Sequence, residues 1–290
     1  VTPTTGYAGV TTYNSDNGTW TGSNITYTYQ WLYNDQGSTY LTIPNTVGTG
    51  AQTASYKPPF NFYTLGYKGP IECRVTATNA AGSGAGFSTP PTVVNAPVSP
   101  TPGTISWDGT NFSIPFSGGS GPYYQLYWAA SASAPSNTGY YDAACTTSPM
   151  LEILSPAVDT TYYFYLRSAA NNVASPNPST TASGTDSSGL FTNWSSYSTW
   201  VGRKLTYNYN YTGGPANSDT GIITDGTSVT LPSPTRTGYT LAGWYTAASG
   251  GTSVGAGGTS YTVSSSFTAY AQWTPVTSVS YTHLTLPTKA

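Results

Sequence analysis

Charge is what this 290-residue chain has least of. Charged residues are 6% of it, eight Lys and Arg against ten Asp and Glu, for a formal net charge of −2, where an ordinary soluble domain carries roughly 25%. So thin a supply excludes a nucleic-acid binder working through a basic surface, because neutralising phosphates takes clustered Lys and Arg. It also argues against a charge-driven disordered segment. Histidine occurs once, at His283, and cysteine twice, at Cys73 and Cys145, so no zinc site of the Cys/His type can be assembled and at most one disulfide can form. No apolar run approaches the ~18 residues of a bilayer-spanning helix, so membrane insertion within the chain is not expected. Helical periodicity is missing beyond about two turns.

In place of charge stand 51 Thr, 36 Ser and 26 Tyr. Hydroxyls and phenols must then cover the outer faces, and β-branched and aromatic residues favour strands, so the fold class expected is all-β. The chain starts at Val1 without Met or a leader-like run, so any export signal is expected to have been removed or to lie upstream. Composition and architecture together predict an extracellular, cell-surface or secreted location.

Gly and Pro number 32 and 22, about 19% of the chain and below the ~25–30% of low-complexity disorder. Two joints stand out. Five prolines between Pro90 and Pro102 make one stiff spacer, and Ser175 to Gly189 (SPNPSTTASGTDSSG) makes a second, more polar one. The division expected is a β-sandwich at 1–96, a second at 97–188, a linker at 189–203, a small module at 204–274 and an unpacked tail at 275–290. Pro-rich spacers and the lack of apolar runs at the joints predict separate cores with few contacts between monomeric modules.

In the first segment, Tyr27 to Tyr33 and Ile71 to Asn79 alternate as strands, placing Tyr27, Tyr29, Trp31 and Tyr33 on one face and Ile71, Cys73, Val75 and Ala77 on another. A Trp strand and a Cys strand about forty residues apart suit strands C and F of an immunoglobulin-like sandwich. Asn17 to Gly22 (NGTWTG), Tyr27 to Trp31 (YTYQW) and Cys73 to Ser83 (CRVTATNAAGS) resemble the bacterial Ig-like repeats of secreted and cell-surface proteins across residues 5–93. A partner cysteine on the B strand is missing, so Cys73 is expected to be a buried free thiol and Cys73 and Cys145 are not expected to pair.

The second segment repeats the grammar with Tyr123 to Trp128, Leu151 to Leu154 and Thr160 to Arg167, where Tyr162, Phe164 and Leu166 are expected to face the core together. Leu154, Ser155 and Pro156 followed by Thr161 to Phe164 resemble the E–F corner of fibronectin type III domains, with another Ig-like subtype as the competing reading. In the third segment, Leu205 to Tyr211, Asp225 to Pro232, Thr235 to Tyr245 and Ala269 to Trp273 appear in order. They resemble a Listeria-Bacteroides repeat of the internalin B-repeat type, a β-grasp-like module of surface proteins. There Gly238 and Gly243 bracket a strand that delivers Trp244 to the core, and so small a module needs such aromatics. From Val279 to Ala290 the chain resembles the translation of a sequencing-library adapter, which would make the whole a fragment and leave His283 without a biological role.

Candidate chemistry is sparse. With His283 in the adapter-like tail there is no Ser–His pair to build, and the nearest acidic pairs (Asp16 with Asp35, Glu152 with Asp159, Asp219 with Asp225) fit neither a calcium loop nor a glycosidase pair. Ser117 to Pro122 is glycine-rich but opens no helix and carries no Lys, so it reads as a hairpin turn and not a phosphate cradle. Lys57, Lys68, Lys204 and Lys289 are the only lysines that could enter an intramolecular isopeptide bond, and the third segment has no Glu to catalyse one. Asn17, Asn24, Asn111, Asn193 and Asn210 occupy Asn-x-Ser/Thr frames, which arise by chance in so Ser/Thr-rich a chain. The chain is therefore expected to be non-catalytic, with no catalytic, cofactor-binding or metal-binding residue and no cofactor. Tyr-rich faces are the one feature with a functional reading, since Tyr and Trp stack on sugars and anchor protein interfaces. A glycan or protein partner is expected, contacted through the outward faces of the first two sandwiches. The reading is a surface stalk or adhesion fragment; a phage decoration or fibre protein, or accessory modules of a secreted carbohydrate-active enzyme, are its alternatives.

Overall fold

The computed structural model describes residues 1–34, 39–63, 65–67, 69–88, 91–132, 142–145, 148–153, 155–170, 191–192 and 194–277, with backbone path alone for 142–145 and 150–153. The fold is all-β, without a helix among these residues. None of the described residues forms a helix long and apolar enough to cross a membrane. The chain divides into two compact units: 1–106 with 111–154 and 162–199, and 107–110 with 155–161 and 200–290.

The first unit begins with β1 (Thr5–Tyr7), β2 (Tyr13–Asn14), β3 (Thr26–Asn34), β4 (Tyr40–Thr42), β5 (Ser55–Tyr56), β6 (Pro70–Asn79), β7 (Gly82–Phe87) and β8 (Thr92–Asn95). One sheet runs β1-β8-β6-β3-β4, with β7 also paired to β6 and β1 parallel to β8. A short β2-β5 pair forms the opposing layer. Between them lies a core in which Trp31 and Cys73, directly opposite across β3 and β6, pack with Tyr13, Tyr56 and Phe62, all fully buried. The expected alternation holds. Ile71, Cys73, Val75 and Ala77 are buried, and Tyr27, Tyr29 and Tyr33 lie half-buried on the Trp31 face. Trp31 donates its indole N–H to the Thr53 carbonyl at 2.9 Å, which satisfies the one polar atom of the largest core side chain.

The same unit continues with β9 (Pro100–Pro102), β10 (Ser106–Trp107, ending in the second unit), β11 (Asn111–Ile114), β12 (Phe116–Gly118), β13 (Tyr123–Ala129), β14 (Asp142–Cys145), β15 (Met150–Ile153) and β16 (Thr161–Ala169). Antiparallel ladders join β13 to β14 and β16, β11 to β15, and β12 to β9. Two of the five joint prolines, Pro100 and Pro102, thus sit in a strand of a two-stranded pair, where a missing N–H is tolerated. Tyr162, Phe164 and Leu166 are buried as expected, but so are Tyr165, Arg167 and Ser168, so β16 is covered on both faces. The second cover comes from residues expected to be linker. Phe191 and Trp194 lie over the Arg167 guanidinium at 3.8 and 4.4 Å, and Tyr197 meets the rings of Tyr163 and Tyr165.

Ser117 to Pro122 differs from its hairpin reading. β12 pairs with β9 while β13 pairs with β14 and β16, so this loop carries the chain from one sheet to another. Gly118 and Gly119, with φ of 67° and 77°, make the turn that a Cβ would strain.

The second unit contains the remainder: β17 (Ser198–Arg203, starting in the first unit), β18 (Leu205–Asn208), β19 (Ser218–Asp219), β20 (Ile223–Thr224), β21 (Thr227–Thr230), β22 (Tyr239–Tyr245), β23 (Ser253–Gly255), β24 (Ser260–Val263) and β25 (Phe267–Pro275). Its sheet runs β19-β18-β25-β22-β23, with β18 and β25 parallel, beside β21-β24 and β17-β20 pairs. Trp244 is fully buried among Leu205, Tyr207, Leu231, Val263, Ala269 and Ala271, and donates its indole N–H to the Pro232 carbonyl at 2.8 Å. Leu241 packs on the same cluster three positions earlier, which strict alternation forbids; a bulge at Gly243, where the register to β25 shifts, restores the facing. Gly243 has φ of 148°, and a Cβ there would stand 3.1 Å from the Gly255 carbonyl oxygen. Within the expected linker, β17 is a strand and Trp200 is buried, its ring 6.1 Å from that of Trp107. The adapter-like segment 279–290 lies outside the described residues, although β25 runs past Trp273 to Pro275 and Val276 donates to the Gly238 carbonyl.

Candidate binding groove

Trp20 stands where β7 has no side chains to offer. On that strand Gly82, Gly84 and Gly86 pair with Asn79, Ala77 and Val75, so the glycines share the core-side face of the sheet. The Trp20 ring lies over this glycine floor. A Cβ on Gly84 would approach its six-membered ring to 3.1 Å, and one on Gly86 to 3.6 Å. The indole N–H donates to the Asn17 carbonyl, and the Asn17 side chain accepts from the Tyr29 hydroxyl. Asp16 accepts from the Gly18 amide at 2.9 Å, closing the turn that carries Trp20 across.

Beside the ring opens a groove of about 370 Å³, lined by Ser15, Asp16, Trp20, Val75, Gly86 and Phe87 among others. A smaller recess of about 100 Å³ lies against Trp20, Ile25, Ala77, Thr78, Gly82 and Gly84. Phe87 is 54% exposed at the rim, a large apolar side chain left to solvent. Asp16 is the groove's one acidic side chain, and neither Lys, Arg nor His lines it.

Elsewhere the candidate chemistry disperses. Asp219 pairs with Lys204 at 2.7 Å and Asp225 with Arg203 at 2.6 Å, so each carboxylate of that pair is committed to its own cation. Arg203 also holds Asp159 at 2.8 Å, and Ser266 donates to the same oxygen. These hydrogen bonds, that from Arg203 first, lower the Asp159 pKa, and the Lys204 bond lowers that of Asp219. Asp35, Lys68 and Lys289, and the side chains of Glu152 and Cys145, lie outside the described residues. Cys73 is a free buried thiol whose pKa burial pushes up, the opposite of a reactive cysteine. Among the described residues no three of His, Cys, Asp and Glu gather as metal ligands.

Among the described residues of the first unit most Tyr are buried or half-buried, and Tyr7, Phe87 and Tyr197 are the well-exposed rings. The second unit spends Tyr207 and Trp244 on its core and packs Tyr209, Tyr261, Phe267 and Trp273 against it, as expected, while Tyr211 and Tyr239 lie beside the Arg236 guanidinium, the nearer ring at 3.7 Å. Asn210 of the glycosylation-type frame uses its amide to bind the Ala248 and Ala271 carbonyls. Sequence alternation could not find the Trp20 groove, because Trp20 lies outside any strand; the Gly-x-Gly-x-Gly spacing of β7 is the signal that points to it.

Residues 204–272 match the Listeria-Bacteroides repeat domain family, over the segment built around Trp244. Repeats of this family are typical of bacterial surface proteins. No curated protein matches the chain.

Proposed function

We propose that this chain is a non-catalytic part of a bacterial cell-surface or secreted protein that serves display and attachment. The observation that carries the reading is the Listeria-Bacteroides repeat at 204–272, a module typical of surface proteins, set after two further all-β regions. The order β1-β8-β6-β3-β4 with a β2-β5 layer, and Trp31 facing Cys73 across the central strands, supports an immunoglobulin-like sandwich for 1–96. The β13–β16 and β11–β15 ladders support a sandwich of fibronectin or related type for 97–188. Carboxylates bound singly to cations and a deeply buried thiol supply neither a general acid–base pair nor a nucleophile.

Binding in this reading is neutral and aromatic. With 18 charged residues in 290, electrostatic steering has little to act on. The test is the immobilised chain against a glycan array, cell-envelope proteins and duplex DNA at roughly 50 and 500 mM salt. Attachment to a glycan or protein that survives the higher salt is the expected result. Tight DNA binding that collapses at high salt, or turnover of a polysaccharide by the chain itself, would refute the reading.

A further inference from the structure

β7 is an edge strand with none of the usual protection. Its sequence, GSGAGF, carries no charge and no proline, and five of its six residues are exposed. Ser88 donates to the Cys73 carbonyl at 2.9 Å, which fixes the bonded phase of the β6–β7 ladder. Bonded pairs alternate, so Val75 with Gly86, Ala77 with Gly84 and Asn79 with Gly82 face each other through their amides. The N–H and C=O groups of Ser83, Ala85 and Phe87 therefore point away from β6, and no described residue takes them up. The groove beside Trp20 opens at this edge, sharing Gly86 and Phe87 with it.

We propose that β7 and the Trp20 groove together form a docking site for an extended strand of another polypeptide, which adds to the sheet at Ser83, Ala85 and Phe87 and drops alternate side chains into the groove. Main-chain bonds to the edge supply affinity, and the pocket for alternate side chains supplies selectivity. The groove decides against a second copy of β7 as the occupant. A copy paired there would turn Gly82, Gly84 and Gly86 toward the groove and leave about 370 Å³ unfilled. The lining sets the chemistry of the guest. Trp20, Val75 and Phe87 wall the groove, with Asp16 its one acidic side chain and Val1 at the same lining, so the guest is apolar at its groove-facing positions, and a carboxylate placed there would lose its hydration against apolar walls. This names a partner class for the attachment reading but stands on the edge geometry alone, so its failure leaves that reading to its own salt-resistance test.

The experiment uses the whole chain and a blocked heptapeptide, Thr-Val-Thr-Val-Thr-Val-Lys, with a control in which Asp replaces each Val. Amide resonances and hydrogen exchange at Ser83, Ala85 and Phe87 report the result. The Val peptide is expected to slow exchange at these three amides by about tenfold near saturation, and the Asp peptide to leave them unchanged. Ala85→Pro removes an outward N–H that no described residue accepts, so it should abolish the effect with melting unchanged. Ala85→Lys, which guards an edge without touching backbone geometry, replaces it should proline disturb folding. Trp20→Ala should weaken the Val peptide while leaving the edge amides free. Unchanged β7 amides with the Val peptide, equal response to both peptides, or protection that rises with protein concentration alone would each overturn the proposal, the last by giving the edge to a second copy.

Discussion

Trp31 and Trp244 occupy corresponding roles in two cores of unequal size. Each is fully buried beside a strand partner with a small side chain, Cys73 or Ala271, and each places its indole N–H on a loop carbonyl. Around Trp31 stand Tyr13, Tyr56 and Phe62 as further buried rings, whereas around Trp244 the buried company is aliphatic apart from Tyr207. The edges differ as well. The repeat sheet ends in β19 and β23, two and three residues long, too short to template another strand, while β7 is six residues long with five of them exposed. A small module closes itself with short edges and one dominant ring; the larger first core holds several rings and can leave an edge open.

The strongest way to break this comparison is to truncate both rings. Trp→Ala in a core costs about 3–5 kcal/mol, against total stabilities of roughly 5–15 kcal/mol. Trp244→Ala is expected to unfold the repeat, seen as loss of exchange protection across β18, β22 and β25. Trp31→Ala is expected to leave the first core folded but weakened, because Tyr13, Tyr56 and Phe62 remain. Equal loss in both would show that ring number does not decide the difference.

Two glycines sharpen it next. Gly243 is needed by the backbone: its φ of 148° and the 3.1 Å approach to the Gly255 oxygen leave no place for a Cβ, and Gly243→Ala is expected to destabilise the repeat by about 1–3 kcal/mol in chemical denaturation. Gly84 has no such φ, and the atom a Cβ would meet belongs to the Trp20 ring. Gly84→Ala is expected to cost less than about 1 kcal/mol while shifting Trp20 fluorescence, since a half-buried ring can give way where a strand cannot.

Much of this is legible in the amino-acid sequence. Alternation in Tyr27–Tyr33 and Ile71–Asn79 foretold their faces because one side of that sheet is dry and a period of two has only one way to fit. The repeat was legible through Gly238, Gly243 and Trp244, whose spacing is tied to a bulge. What escaped was set by tertiary context. Both faces of β16 are buried because Phe191, Trp194 and Tyr197 fold back over it, and nothing local to Thr161–Arg167 announces that cover. The 189–203 stretch looked like a linker since its polar residues hide Trp200, which packs against Trp107 some ninety positions away. The Trp20 groove escaped for the converse reason: it is defined by missing side chains.

Cys73 tests how dry the first core is. A thiol-to-hydroxyl exchange in an apolar site costs about 1–3 kcal/mol, so Cys73→Ser should lower the denaturation midpoint of the first region and leave the repeat's unchanged. In the native protein Cys73 is expected to resist alkylation until that region opens, followed by mass spectrometry of the peptide holding Cys73. Prompt labelling at neutral pH would mean that the Trp31 core admits solvent.

The smallest expected effect separates the two regions by pH. Arg203 and Lys204 hold the Asp159 and Asp219 carboxyls below their ordinary 3.8. A carboxylate with a depressed folded pKa stabilises the fold above its unfolded pKa and loses that contribution as pH falls through the folded one. The repeat is therefore expected to weaken from about pH 4 downward. All three side chains of the Arg203 cluster and both of the Lys204 pair are substantially solvated, so the slope is shallow and salt-sensitive. In the first region burial raises the Glu72 pKa above 4.5, which reverses the sign. Between that raised value and 4.5 the folded state binds more protons than the unfolded one, so the first region gains stability as pH falls through this window. Segment-resolved hydrogen exchange, corrected for its intrinsic pH dependence, should show β6 protection rising on acidification before β18 and β25 protection declines. Glu72→Gln should remove the rise and leave the decline, and parallel loss in both regions would show that neither carboxylate set governs acid stability.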